Sequence, residues 1–104
     1  MTIKYEIYCG LDSNGHGVDT RRLALDLALE HFPNGHSVSS QTGRWRLDST
    51  GEVITEQTIV ITWLAEPGQI DASARVGKFA KAYKDQAFQE AVMVVEIPID
   101  ACFI

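Results

Sequence analysis

Along this chain the spacing of apolar positions alternates between two periods. Residues 5–11 alternate, residues 18–32 repeat at helical spacing, and residues 36–47 return to an extended pattern. Residues 53–64 are extended again, residues 71–84 are helical in spacing, and residues 91–97 are β-rich. Periods of about 2 and about 3.6 are those of strands and helices. The chain therefore reads strand, helix, strand, strand, helix, strand. That order is the split βαβ, or ferredoxin-like, arrangement. It predicts an α+β domain with an antiparallel sheet, both helices on one face, and the other face left to be covered.

The pattern also assigns faces. In the first strand Ile3, Tyr5, Ile7, Cys9 and Leu11 share the side expected to meet the helices, and Thr2, Lys4, Glu6 and Tyr8 share the other. Residues 10–17 are turn formers, with Asp19 or Thr20 as the expected cap of the first helix. Leu23, Leu27, Ala28 and Phe32 form its stripe, which Leu25 and Leu29 are expected to widen, and Pro33-Asn34-Gly35 ends it. Residues 48–52 are the tip of a long hairpin. Ile59, Ile61 and Trp63 face one way and Val60, Thr62 and Leu64 the other, the mark of a central strand. Asp71 is the expected cap of the second helix, whose stripe is Val76, Phe79, Ala80 and Tyr83. The last strand is expected to stop at Pro98, and the apolar tail to close the sheet edge or pack on a second copy.

Composition narrows the classes. With 104 residues the chain suits one domain, residues 1–104. A formal net charge of -5 argues against nucleic-acid binding, which needs clustered Lys and Arg, and allows a basic protein partner or a cationic ligand. No stretch approaches the ~20 apolar residues of a membrane helix, and the start runs straight into a strand pattern without a signal peptide. The expectation is a cytoplasmic protein with no membrane partner, in which Cys9 and Cys102 are thiols rather than a disulfide.

Candidate chemistry is sparse. Gly10, Gly15 and Gly17 lack the Lys and Ser/Thr of a phosphate-binding loop. A flexible connection is the expectation, with His16 near the positive end of a helix as its point of interest. His16, His31 and His36 have no metal-ligand spacing, so neither a metal nor another cofactor is expected. There is no Gly-x-Ser-x-Gly elbow and no conspicuous acid–base pair. One cluster stands out: Arg44, Trp45 and Arg46 on the second strand, and Glu56 on the third. Arg44 or Arg46 is expected to pair with Glu56 across the hairpin, as a structural ion pair or as an anchor for a ligand or partner.

Further residues join this cluster into a longer pattern. Gly43-Arg44-Trp45-Arg46, Gly51, Glu56 and Thr58, Ala82-Tyr83, and Phe88-Gln89-Glu90-Ala91-Val92 follow in order, after an opening strand ending in Cys9-Gly10-Leu11 and the turn at residues 32–35. The pattern resembles a family of small bacterial proteins known only as a domain of unknown function. Members show a Gly-x-Trp, an Arg-Glu-x-Ser stretch, and a Tyr followed by Phe-x-Gln-Glu-Ser-Val. Here Thr55 stands for the Arg, Ala91 for the Ser, and no spacer separates Phe88 from Gln89. The resemblance implies a ferredoxin-like fold, supplies no activity, and marks Trp45, Glu56, Tyr83, Gln89 and Glu90 as a set.

The leading expectation is a non-enzymatic protein-interaction or ligand-binding module, homodimeric through the open sheet face or the tail. Small size and acidity also allow an acidic inhibitor from a phage or mobile element. The alternative is a cofactor-independent enzyme or small-molecule binder of the dimeric α+β barrel type. It would hold a small apolar ligand between sheet and helices. The candidate binding residues are Tyr8, His16, Arg44, Trp45, Arg46 and Glu56.

Overall fold

The structure is a computed structural model that describes residues 2–101 and residue 104. The elements follow the expected order: β1 (Thr2–Gly10), α1 (Thr20–His31), β2 (Ser37–Arg46), β3 (Val53–Ala65), α2 (Ala72–Gln86) and β4 (Met93–Ile99). The strands form one antiparallel sheet in the order β2-β3-β1-β4. This is the ferredoxin-like fold. Cys102 and Phe103, and with them the expectations for the tail and for Cys9 and Cys102, lie outside the described residues.

The core forms where the apolar faces of the central strands meet the helices. Tyr5, Ile7 and Cys9 of β1 sit opposite Trp63, Ile61 and Ile59 of β3, and all six are buried. Val76, Phe79 and Tyr83 of α2 and Ala24, Leu27 and Ala28 of α1 cover them. Phe32 links the layers, with ring centroids 4.9 Å from Trp63 and 5.5 Å from Phe79. Burying each such large side chain stabilises the fold by about 1.5–3 kcal/mol. No helix among the described residues is long and apolar enough to cross a membrane.

Four local expectations are corrected. Leu25 and Leu29 are exposed, because α1 seats on the sheet through the small Ala24 and Ala28 and turns the next row outward. Asp19 caps α1 by accepting from the Arg22 backbone N–H at 3.2 Å, but Asp71 makes no such cap on α2. Its carboxylate instead accepts from Gln69 and Arg75, at 3.1 and 3.2 Å. Those two bonds, the one from Gln69 foremost, hold it below the usual carboxylate range. The last strand does not stop at Pro98: β4 runs through it to Ile99, with Pro98 opposite Ile3. β4 is an edge strand, where a residue without an N–H is tolerated.

The fourth correction concerns the hairpin. Leu47 N–H donates to the Glu52 carbonyl at 2.8 Å, and this closure sets Arg44 opposite Thr55, Trp45 opposite Ile54 and Gly43 opposite Glu56. Glu56 therefore projects from the face opposite to Arg44 and Arg46, because neighbouring strand residues alternate sides. The expected ion pair is not formed. Arg46 donates to the Gly51 carbonyl at 2.8 Å instead. The hairpin also outruns the sheet: β1 stops pairing at Gly10 opposite Thr58, while β2 and β3 continue to Arg46 and Val53. The projecting ribbon elongates the molecule to 49 × 25 × 20 Å with a radius of gyration of 15.0 Å. A compact chain of this length has about 13 Å.

Burial pushes the Cys9 thiol up to about 12 from an ordinary 9.0. A group that holds its proton more tightly when folded contributes stability below its unfolded pKa and loses it as pH rises toward the folded value. The urea midpoint should therefore be level from pH 7 to about 9 and fall between about 9 and 12. Cys9→Ala should lower the midpoint at pH 7 yet make that alkaline fall shallower, leaving the part above about pH 10 that Tyr83 and Tyr5, both raised chiefly by burial, contribute. An equally steep fall in the variant would show that Cys9 does not drive it.

Candidate functional site

Past the end of β1, the sheet gives way to an open cleft of about 850 Å³. Trp45 and Ile54 of the hairpin form its apolar wall, Glu56 its near side, Arg21 of α1 one rim, and Gln89 and Glu90 the other. Three groups meet beside it: Gly10, Glu56 and Gln89. A Cβ placed on Gly10 would lie 2.7 Å from Glu56 Oε1 and 2.8 Å from Gln89 Oε1. Neither approach is compatible with a side chain, so glycine at this position is what lets the two oxygens converge.

Gly10 and Gln89 are each held from behind. Tyr83 of α2 donates its hydroxyl hydrogen to the Gly10 carbonyl. Burial above all raises the Tyr83 phenol, with Cys9 and Glu56 adding to the effect and a bond with Thr20 opposing it, so it remains a donor. Thr20 donates to the Leu11 carbonyl at 2.6 Å and fixes the next residue of the chain. Gln89 Nε2 donates to the carbonyls of Asp12, at 2.6 Å, and Ala87, at 3.0 Å. With both amide hydrogens engaged, Oε1 is left as an acceptor beside the carboxylate of Glu56.

The ion pairs among the described residues are Lys4–Glu6, Arg22–Asp26, Arg75–Asp71 and Lys81–Asp85. Glu56 belongs to none of them. The cleft thus presents two converging acceptors that receive no hydrogen bond from the described residues, and its charged lining has more carboxylates than cations: Asp12, Glu56 and Glu90 against Arg21. Its chemistry suits a ligand that offers N–H groups or positive charge and a flat apolar part to lie against Trp45.

The sequence-expected residues divide. Trp45 and Glu56 line this cleft together. Arg44 and Arg46 are exposed on the opposite face of the hairpin. Tyr8 lies on the open face of β1 between Val60 and Met93. His16 stands at the rim, stacked on Phe88 with ring centroids 3.6 Å apart. The apolar cavity expected between sheet and helices is filled by the packed core, and the cleft lies beyond the sheet's end. Asn14, Arg21 and Asp12 were missed, because nothing in their spacing ties them to the hairpin.

A second cleft of about 820 Å³ lies at the other end of the sheet, over Phe32 and Trp63. Both of its cations are engaged: Arg75 lies 5.6 Å from the Trp63 ring centroid and 3.2 Å from Asp71, and Lys4 lies 3.8 Å from Glu6. His31 and His36 both lie against Phe32. Among the described residues no three His, Cys, Asp or Glu side chains gather as metal ligands.

The fold has solved relatives. A phage SAM lyase in complex with S-methyl-5'-thioadenosine matches with a TM-score of 0.68 at 18% identity, over 92% of this chain and 80% of the lyase. The periplasmic divalent cation tolerance protein CutA from Archaeoglobus fulgidus matches with a TM-score of 0.59 at 9% identity, over 99% of this chain and 88% of CutA. The B. subtilis GlnK–ATP complex matches with a TM-score of 0.57 at 14% identity, over 93% of this chain and 83% of GlnK. At such identities the likeness is one of fold. No curated protein matches the sequence. Residues 4–103 match the model of the family described as a protein of unknown function (DUF3574), and the chain belongs to that family.

Proposed function

We propose that this protein is a ligand-binding module, and that the cleft between the hairpin and residues 89–91 takes a neutral or cationic adenosine-bearing small molecule. The observation that carries this reading is the convergence of Glu56 Oε1 and Gln89 Oε1 over Gly10, with no donor among the described residues between them. An amino group or ribose hydroxyl of such a ligand supplies the missing donors, and Trp45 and Ile54 supply an apolar platform. Two neighbours of the same fold carry adenosine-bearing ligands, S-methyl-5'-thioadenosine and ATP, which supports the ring system. The excess of carboxylates disfavours a triphosphate and favours the uncharged or positive forms. The cytoplasm remains the proposed setting.

A second reading is an enzyme acting on such a ligand without a cofactor. It is favoured by the ion-pair-free carboxylate of Glu56, positioned to stabilise a developing positive charge. An inhibitor of a basic host protein is less well supported, since the sheet's open surface is apolar rather than acidic. Met93 and Leu64 are exposed there, beside Val95, Ile97 and Ile99 of β4. That surface instead supports self-association as a homodimer.

Calorimetric titration with S-methyl-5'-thioadenosine and with S-adenosylmethionine tests the cleft. Binding should weaken by about tenfold or more in Trp45→Ala and Glu56→Gln, the latter losing more for the sulfonium ligand than for the neutral one. Gly10→Ala should also lose affinity, with little loss of stability, because it displaces two flexible side-chain ends. Wild-type protein that binds neither ligand at millimolar concentration would sink the reading. Chromatography of the recovered ligand then separates a binder, which returns it intact, from an enzyme.

Native mass spectrometry tests self-association. The wild type should run at twice the 11.5 kDa chain mass, and Leu64→Lys combined with Met93→Lys should run as a folded monomer. A wild type that remains monomeric at high micromolar concentration would rule out the dimer.

A further inference from the structure

Helix α1 opens with its charges at the unfavourable end. Its first turn holds Arg21 and Arg22 and no acidic residue, although the positive end of a helix favours anions and repels cations. Arg22 is compensated one turn on by Asp26, at 3.6 Å. Arg21 has no such partner. It belongs to none of the ion pairs among the described residues, yet it lines the same cleft as the carboxylates of Asp12, Glu56 and Glu90. Helix stability therefore gives no reason for a cation at this position.

The backbone that carries Arg21 is tied to the point where the two acceptors converge. The Thr20 hydroxyl donates to the Leu11 carbonyl at 2.6 Å, and Thr20 is itself buried. Leu11 follows Gly10, over which Glu56 Oε1 and Gln89 Oε1 approach. A cation and a carboxylate are thus held at one cleft by separate elements without pairing with each other. Such an arrangement suits a ligand that carries both signs close together. In an α-amino acid head, the ammonium supplies donors to the oxygens of Glu56 and Gln89, and the carboxylate accepts from the planar guanidinium of Arg21. A ligand without a carboxylate leaves Arg21 unused, and a polyanion is repelled by the three carboxylates.

We infer that the cleft selects adenosine-bearing ligands that end in a zwitterionic amino acid, with Arg21 as the residue that reads the carboxylate. The class is that of S-adenosyl amino acids rather than the bare thioadenosine. Trp45 and Ile54 remain as the apolar wall for the ring system, and the surplus carboxylates accommodate a sulfonium. The inference rests on the cleft being the ligand site, and goes beyond it in naming the ligand's charged end.

Calorimetric titration with S-adenosylmethionine and with its decarboxylated analogue isolates the carboxylate. The analogue carries one more net positive charge, so the acidic lining alone would make it the tighter ligand. Wild-type protein should instead bind S-adenosylmethionine at least about fivefold more tightly, a preference that shrinks as salt is raised. Arg21→Gln should abolish or reverse the preference, chiefly by weakening S-adenosylmethionine, and Arg21→Lys should keep part of it. The urea midpoint of Arg21→Gln should equal or exceed that of the wild type, since a cation leaves the positive end of α1. Equal or inverted affinities in the wild type, or an equal loss for both ligands in Arg21→Gln, would overturn the role of Arg21 and leave the ligand reading intact. A lowered midpoint would overturn it too, by assigning Arg21 to the stability of the helix. Wild-type protein that binds neither ligand at millimolar concentration would overturn the inference together with the reading beneath it.

Discussion

The hydrogen bond from the Tyr83 hydroxyl to the Gly10 carbonyl joins the last part of α2 to the end of β1, and the geometry of the cleft depends on that joint. Gly10 is where the sheet, already without β4, narrows from three strands to the two-stranded hairpin. A bond at this point fixes the angle between the helical layer and the projecting ribbon. It is protected, because Tyr83 is fully buried and its raised pKa keeps the donor hydrogen in place. Three residues later in the chain than the end of α2, Gln89 reaches back to the Asp12 carbonyl. The same junction is therefore fastened twice, once from inside the core and once from its rim. The inner fastening is a matter of folding; the outer one is free to serve the cleft.

The fold was legible because each element carries its own period. Val76, Phe79 and Tyr83 repeat on one side of α2, and Ile59, Ile61 and Trp63 on one side of β3, and all six are buried. What could not be read was register. Trp45 and Glu56 were recognisable as conspicuous residues, but the hairpin closure at Leu47 and Glu52 decides that they share a face and that Arg44 and Arg46 do not. A shift of one residue would have exchanged the two sets. Gln89 entered the sequence reading only through the family pattern. Its position depends on the left-handed turn at Phe88, which no local propensity announces. Asn14 and Arg21 are brought to the site by the path of the β1–α1 connection, a tertiary fact.

The glycines show how folding and site geometry are separated. Gly15 and Gly17 adopt positive φ in open space, where their freedom serves the loop alone. Gly10 has an ordinary strand conformation and no positive φ. Its requirement comes from the side chains that approach it, so it is a glycine of the site rather than of the backbone. Substitution there would disturb Glu56 and Gln89 while leaving the β1–β3 ladder intact.

The projecting hairpin poses the remaining energetic problem. A two-stranded ribbon is at best marginally stable alone, yet here every residue of β2 is exposed, and Trp45 and Val53 near its end remain in contact with solvent. Such a ribbon loses little when a ligand or a second copy covers it, and gains apolar burial at about 25 cal/mol per Å². The open sheet face leads into the ribbon without a break, because Val60 and Ile54 alternate with the same parity along β3. Covering the face with another chain and filling the cleft with a ligand would therefore stabilise adjoining stretches of the same strand. Binding in one place should stiffen the other, since β3 passes through both as a single continuous element.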